Sequence, residues 1–383
     1  MRLAVVVEQI LAPVPGGTGR YAAEVAQALA AVAPDGSAVT GWVAAHRDVG
    51  PARLPGVRGP RRLVLPRRPL ALAWEHGLPV VPTGADVVHA TTLLAPPRGR
   101  RPLVVTVHDA VPWTHPETLT PRGVHWHRAM AERVGETADA VVVPTAAVAE
   151  ALRRWVRLPD RIVVAGAGVS GRLTRPDDAA AQALRAGAPG DGYLLSVATL
   201  EPRKGLDVLL AALAAIRPDR RLPLVLVGQP GWGGVDPLAL AGDLGLRPGD
   251  VVPLGRLADP DLAAVMAAAT AVVVPSRAEG FGLPVVEAMA VGTPVITSTD
   301  PALVEVGSDA TLTAPVGDVP ALATAITDLL DQPALRSAMA DRGLARARAF
   351  SWERTASVLW DLYRDLAHGR PGAPVSSRAG PAG

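Results

Sequence analysis

A single lysine, Lys204, stands among the 38 Lys and Arg residues of the 383-residue chain, which has no asparagine and no cysteine. Lysine and asparagine have AT-rich codons, whereas the abundant Ala, Gly, Pro and Arg have GC-rich ones. A lysine retained against that bias is either a chance survivor on a solvated surface or a residue with work to do. Its neighbours favour work. Glu201-Pro202-Arg203-Lys204-Gly205 follows an apolar run at 193–197 and precedes a leucine- and alanine-rich run at 206–216. A loop between the carboxyl end of a strand and the first turn of a helix offers free amides and a favourable dipole to an anion. Arg adds a planar fork and Lys a compact charge, so the trio suits a diphosphate.

A second constellation runs from Pro275 to Ala290 and contains Glu279-Gly280-Phe281-Gly282-Leu283-Pro284 and, eight positions after Glu279, Glu287. It also follows a strand-like run, 271–274, and opens a helix with Pro284 near its first position. The glycines allow close backbone approach and leave amides facing a ligand. Two carboxylates first suggest a glycosidase acid and base or nucleophile, but anion-binding loops argue against hydrolysis of a plain sugar. Glu287 can hold a ribose diol and Glu279 a hexose. A helix-dipole carboxylate plus a solvated glutamate is the plainer alternative.

The elements that must carry these loops are short valine-rich runs alternating with alanine-rich stretches. Strands are predicted at 2–7, 39–43, 62–65, 86–89, 103–108, 140–143 and 161–164, then at 193–197, 224–227, 251–254, 271–274 and 293–297. Continuous apolar strands separated by helices imply parallel sheets covered on both faces. The fold class is therefore α/β, with two facing Rossmann-like doubly wound domains, since one core rarely serves a chain this long. The expected division is a first Rossmann-like domain over 1–170, a linker over 171–192 rich in Gly, Asp, Arg and Pro, and a second Rossmann-like domain over 193–350. A helix over 351–368 and a disordered tail over 369–383 complete it. Open parallel sheets bind ligands beyond the carboxyl ends of their strands, so the cleft between the domains is the default site.

With 49% hydrophobic and 19% charged residues, wholesale disorder is excluded, and the missing cysteines exclude disulfide scaffolds, thiolate metal sites and cysteine nucleophiles. Residues 1–190 hold 22 arginines against 15 acids, six of them from Arg53 to Arg68, whereas residues 191–383 hold 16 basic residues against 21 acids. The basic half is a candidate contact for an anionic membrane or an acidic acceptor, with solvated loop arginines as the alternative. Nucleic acid is not an expected partner, because no aromatic interleaving accompanies the arginines. The N-terminal apolar run is broken by Glu8, and the longest one, 262–275, is shorter than a membrane span. The expected location is the cytoplasm, with peripheral contact at the inner face of the membrane through the basic half.

In these motifs the chain resembles the family-4 retaining glycosyltransferases of the GT-B fold, in a mannosyltransferase-like form. The residues that carry the likeness are 201–205, Glu279 and Glu287 in an E-x7-E pattern, and Ala290-Val291-Gly292-Thr293-Pro294-Val295. The resemblance implies that Arg203 and Lys204 bind the donor diphosphate, Glu287 the ribose and Glu279 the transferred sugar. Gly280, Phe281, Gly282 and Leu283 would present amides to sugar and phosphate, and His108 would lie by the sugar. It also implies that 1–170 is the acceptor-side domain and 193–350 the nucleotide-sugar-binding domain, that the C-terminal helix returns to the first domain and that anomeric configuration is retained. The donor is a nucleotide diphosphate sugar, with GDP-mannose favoured and no cofactor. The acceptor is a glycan, lipid-linked or small-molecule hydroxyl, in cell-envelope glycan or glycolipid synthesis. A nucleotide-sugar-binding protein without transfer activity, or an epimerase or phosphorylase of the same fold, are the alternatives.

The loop Pro15-Gly16-Gly17-Thr18-Gly19-Arg20-Tyr21 before a helix at 22–33 also fits the dinucleotide pattern G-x-G-x-x-A. That fingerprint should follow its strand at once and find an acid about 20 residues on, and here neither holds. The resemblance instead places Gly16 and Gly17 over the donor phosphates. Asp259-Pro260-Asp261 resembles a metal signature but directly precedes a helix, where Asp259 is expected as N-cap. His125-Trp126-His127 has the wrong spacing for a helical metal pair. No obligatory metal is expected.

Overall fold

The computed structural model describes residues 1–369, which form two compact units. Residues 1–113, 121–167 and 352–369 make the first, and residues 114–120 and 168–351 make the second. The tail expected at 369–383 lies, but for Gly369, outside the described residues.

The first unit is built on a seven-stranded sheet: β1 (Arg2–Val6), β2 (Ala38–Val43), β3 (Arg58–Arg62), β4 (Val87–Ala90), β5 (Leu103–Thr106), β6 (Ala140–Val143) and β7 (Ile162–Val164). All pairings are parallel, in the order β3-β2-β1-β4-β5-β6-β7. The middle strands β4, β5 and β6 are buried at every position, as continuous apolar strands under helices must be. Trp74, Leu70, Leu103 and Leu152 fill the core beside them. β3 is a correction: the strand expected at 62–65 lies at Arg58–Arg62 and pairs Arg58 with Thr40 and Arg62 with Val43. At a sheet edge one row of backbone groups faces water, so arginines serve better there than valines, and no apolar signal marks the strand.

The second unit holds β8 (Leu194–Val197), β9 (Leu224–Val227), β10 (Val251–Gly255), β11 (Ala271–Val274), β12 (Val295–Ser298) and β13 (Thr311–Ala314), again all parallel. The order β10-β9-β8-β11-β12-β13 reverses direction between β8 and β11. Such a reversal opens a crevice at the carboxyl edge of the sheet. β13 was not expected, because Thr-Leu-Thr-Ala at the other edge is half polar.

Three local expectations are corrected. Residues 171–192 are not a bare linker: helix Ala179–Arg185 buries Ala179 and Ala183 in the second unit, and Gln182 donates to Asp261 at 3.1 Å. Its one apolar alanine face is too short to stand out in a Pro/Gly-rich context. The glycine loop is largely helix, since Gly16–Ala31 is continuous and Gly19 packs against Pro15, where an added Cβ would come within 2.5 Å of the proline's own. Asp259 is the first residue of helix Asp259–Ala268 rather than its cap, a one-residue difference with Ala258 in the cap position.

Helix Trp352–Ala367 belongs to the first unit. Its amphipathic stripe buries Trp352, Leu359, Trp360, Leu362 and Tyr363. The Trp360 indole donates to the Leu29 carbonyl at 2.9 Å, and the Tyr363 hydroxyl meets His89 Nδ1 at 2.6 Å. Thr114–Thr120, by contrast, leaves the first unit for the second, where Trp232 donates its indole N–H to the Thr118 carbonyl at 2.7 Å.

Candidate functional site

The two loops singled out by composition follow β8 and β11, the adjacent strands at which the second sheet reverses. After β8 the chain makes a single 3-10 turn, Pro202–Lys204, and then Gly205 caps helix Leu206–Ala215. Gly205 has φ +67° and a Cβ there would stand 2.2 Å from the Pro275 carbonyl, so only glycine lets the two loops close on each other. They are also tied through backbone and side chain. The Arg277 amide donates to the Arg203 carbonyl at 2.8 Å, and its guanidinium reaches the Pro202 carbonyl at 2.9 Å and grips Asp207 with two bonds at 2.8 and 2.6 Å.

Between these loops lies a compact ionic cluster. Arg203 donates to Glu201 at 2.7 Å, to Glu279 at 3.1 Å and to the Ala278 carbonyl at 2.9 Å. Lys204 Nζ donates to the other Glu279 oxygen at 2.6 Å, and Ser276 adds a bond to that same oxygen at 2.7 Å. Burial pushes the Glu279 carboxyl up, but Lys204, Arg203 and the hydrogen bonds outweigh it and hold the group down at about 2. Glu279 is therefore an anion at any physiological pH and a weak base. Burial wins at Glu201, which is held above the ordinary carboxylate range although Arg203 and Lys204 pull the other way.

Lys204 and Arg203 are mostly buried, their side chains 18% and 14% exposed, and each is matched by a carboxylate. Two cations and two carboxylates, Glu201 and Glu279, leave the cluster without net charge. An arriving diphosphate would compete with Glu279 for both cations and free that carboxylate to accept hydroxyl bonds. Glu287 lies on helix Leu283–Ala290, 3% exposed. The Phe281 ring is buried edge-on against Phe350, so what its segment offers a ligand is backbone.

The family described as Glycosyl transferases group 1 matches residues 191–332, the stretch that contains this cluster, and that described as Glycosyltransferase Family 4 matches residues 15–170. A D-inositol 3-phosphate glycosyltransferase of Acidothermus cellulolyticus is 33% identical over an alignment covering 95% of this chain and 90% of that one. The chain belongs to the family-4, group 1 glycosyltransferases. It is also similar to O-antigen chain mannosyltransferase B of Escherichia coli, 40% identical over 46% of either chain. The chain thus spans about half the length of the first curated relatives it matches. Sucrose-phosphate synthase of Thermosynechococcus elongatus superposes with a TM-score of 0.76 at 26% identity, over 96% of this chain and 100% of that one. The two doubly wound sheets are those of the GT-B glycosyltransferases.

In the first unit, His108 lies two residues beyond β5 and donates from Nε2 to the Thr91 carbonyl at 2.8 Å. A carbonyl only accepts, so Nε2 carries the proton and Nδ1 is left as acceptor. Burial lowers the pKa of His108, keeping the ring neutral. The Tyr21 ring packs edge-on against it at 4.8 Å, with Trp352 on the other side of Tyr21 at 5.5 Å. Gly16 and Gly17 open the helix that carries Tyr21.

Two members of the site carried no signal of their own in the sequence. Ser276 is one of several serines, and Glu201 gained attention only as part of its motif. His125 and His127 stay apart from these residues in role: His127 accepts no ligand position but donates from Nδ1 to the Gly123 carbonyl at 2.7 Å. Among the described residues no helix is long and apolar enough to cross a membrane.

Proposed function

We propose that this chain transfers a hexose, mannose by preference, from a nucleotide diphosphate sugar to an acceptor hydroxyl, with retention at the anomeric carbon. The observation that carries the reading is the Lys204–Glu279–Arg203 cluster at the reversal of the second sheet. Arg203 and Lys204 hold the donor diphosphate and balance the charge that grows on it as the glycosidic bond breaks. Glu279, released from the cations, accepts hydroxyls of the sugar. Glu287 takes the ribose, and the amides from Gly280 to Leu283 meet sugar and phosphate. In the first unit, Gly16 and Gly17 border the phosphates, and His108 offers Nδ1 to a sugar hydroxyl.

Glu279 accepts sugar hydroxyls in this reading and no other carboxylate is assigned as a nucleophile, which favours attack on the same face over a covalent intermediate. The bond from the anomeric carbon to phosphate oxygen breaks as the bond to acceptor oxygen forms, and the departing phosphate oxygen takes the acceptor proton. Arg203 and Lys204 supply the positive charge such a leaving group needs, so turnover should not require a divalent ion. The 40% identity to a mannosyltransferase supports the sugar preference, with GDP-mannose as donor. The acceptor is a glycan, lipid-linked or small hydroxyl compound of the cell envelope, approached at the inner face of the membrane through the arginines around β3.

The deciding experiment is a thermal-shift panel of GDP, UDP, dTDP and their sugars, with and without EDTA. A bound donor at about 100 times its dissociation constant adds ~2.7 kcal/mol. GDP-mannose should shift the melting temperature most, with EDTA making no difference. A panel without any shift would remove the reading, and a larger shift from UDP- or dTDP-sugars would change the donor. Product anomeric configuration by NMR tests retention, and a β-linked product from an α-linked donor would overturn it.

A further inference from the structure

We infer that Ser276 is the positioning residue of Glu279 in the donor-bound state, a neutral hydroxyl that keeps hold of the carboxylate when the two cations leave it for the diphosphate. This role rests on the reading above of Arg203 and Lys204 as diphosphate ligands, and it deepens that reading. Ser276 lies two residues past β11 and three before Glu279, and it is buried, 1% exposed. Its hydroxyl donates to Glu279 Oε1 at 2.7 Å, the oxygen that Lys204 Nζ reaches at 2.6 Å, while Arg203 holds Oε2 at 3.1 Å. The serine is itself anchored from the neighbouring strand. The Ser298 hydroxyl, buried at the end of β12, donates to the Ser276 carbonyl at 2.6 Å.

These three donors differ in what a diphosphate does to them. Lys204 and Arg203 carry their charge at the end of long, jointed side chains, so an arriving diphosphate draws both away from Glu279. The Ser276 hydroxyl has no net charge, sits on a short side chain and is buried. It gains little from the phosphates and keeps its bond to the carboxylate. With Oε1 still fixed, Oε2, vacated by Arg203, has a defined place from which to accept a sugar hydroxyl. Without the serine the released carboxylate would turn freely at the step where the sugar must be oriented for attack. A third cation at this position could not serve, because the phosphates would claim it too.

The test uses the full chain, with GDP and GDP-mannose as probes, or UDP and its sugar if the thermal-shift panel favours them. Ser276→Ala should bind the nucleoside diphosphate as tightly as wild type in titration calorimetry, because the diphosphate site keeps both cations. Its kcat for transfer should fall about ten- to a hundredfold, the worth of one hydrogen bond to a charged group, with a smaller change in KM. Ser276→Thr, which keeps the hydroxyl, should recover most of that loss. An Ala variant with wild-type kcat, or one in which diphosphate binding and transfer weaken alike, would overturn the inference. If the variants do not fold, a crystal structure of wild type with the nucleoside diphosphate decides. It should show Lys204 and Arg203 on the phosphates and the Ser276 hydroxyl still on Glu279. A serine turned away from Glu279 in that complex removes the inference alone. Wild-type protein that binds no nucleoside diphosphate, or binds one with both cations still on Glu279, removes the underlying reading.

Discussion

Lys204 is held by one short bond to Glu279 in a protein that keeps no other lysine. Removing it strips half the positive charge from the proposed diphosphate site and leaves Glu279 with Arg203 and Ser276. Lys204→Ala is expected to lower kcat/KM by on the order of 10²- to 10³-fold, as loss of one preorganised electrostatic partner does elsewhere. Steady-state kinetics with circular dichroism as a control for folding checks this, and turnover within threefold of wild type would refute the assignment. Residue types and local spacing pointed to Arg203, Lys204, Glu279 and Glu287. They did not point to Ser276, because a serine after a strand is ordinary until the fold brings it onto a charged partner.

At the scale of elements, the loops after β8 and β11 act together because β8 and β11 are neighbours in the sheet although about 75 residues separate Lys204 and Glu279. The other element with a prospective role is the edge strand β3 with the turn and helix that follow it. Arg58, Arg61 and Arg62 are exposed, as are Val64, Leu72 and Leu78, and no acid occurs between Asp48 and Glu75. Guanidinium groups beside exposed apolar side chains suit anionic headgroups, each arginine near such a surface being worth about 1 kcal/mol. The full chain should co-sediment with phosphatidylglycerol vesicles at low salt and be released by high salt. An Arg58→Ser/Arg61→Ser/Arg62→Ser variant should bind at least tenfold more weakly. No binding by wild type would remove the membrane from the reading.

Across the whole molecule the chain passes between its two units four times, at 113–114, 120–121, 167–168 and 351–352. The last passage completes the first unit. Tyr363 from the C-terminal helix bonds His89 of β4, whose other nitrogen meets Thr106 of β5 at 2.8 Å, all of it buried. Burial lowers His89 to about 3. A histidine lowered on folding contributes stability that is full above its unfolded value, near 6.5, and is lost as pH falls toward 3. Urea midpoints of the first unit should decline over that window. His89→Gln, which does not titrate, should flatten the decline, and an equal slope in that variant would refute the role. Tyr363→Phe should cost about 1–3 kcal/mol at pH 7, because it leaves a buried imidazole nitrogen unpaired.

The α/β class, most strands and the diphosphate loop were legible in the sequence because each is a local property: an apolar run, a helix start, or a cation beside it. β3 and β13 are edge strands whose exposed side gives no apolar pattern, helix Ala179–Arg185 is too short to assert a period, and Thr114–Thr120 crosses to the other unit through a contact made by a distant tryptophan. What only the tertiary structure decided is which charges meet. Lys204 and Arg203 are matched to Glu279 because strand order sets which loops are neighbours. Strand order is set by burial summed over the whole sheet, not by any segment of it.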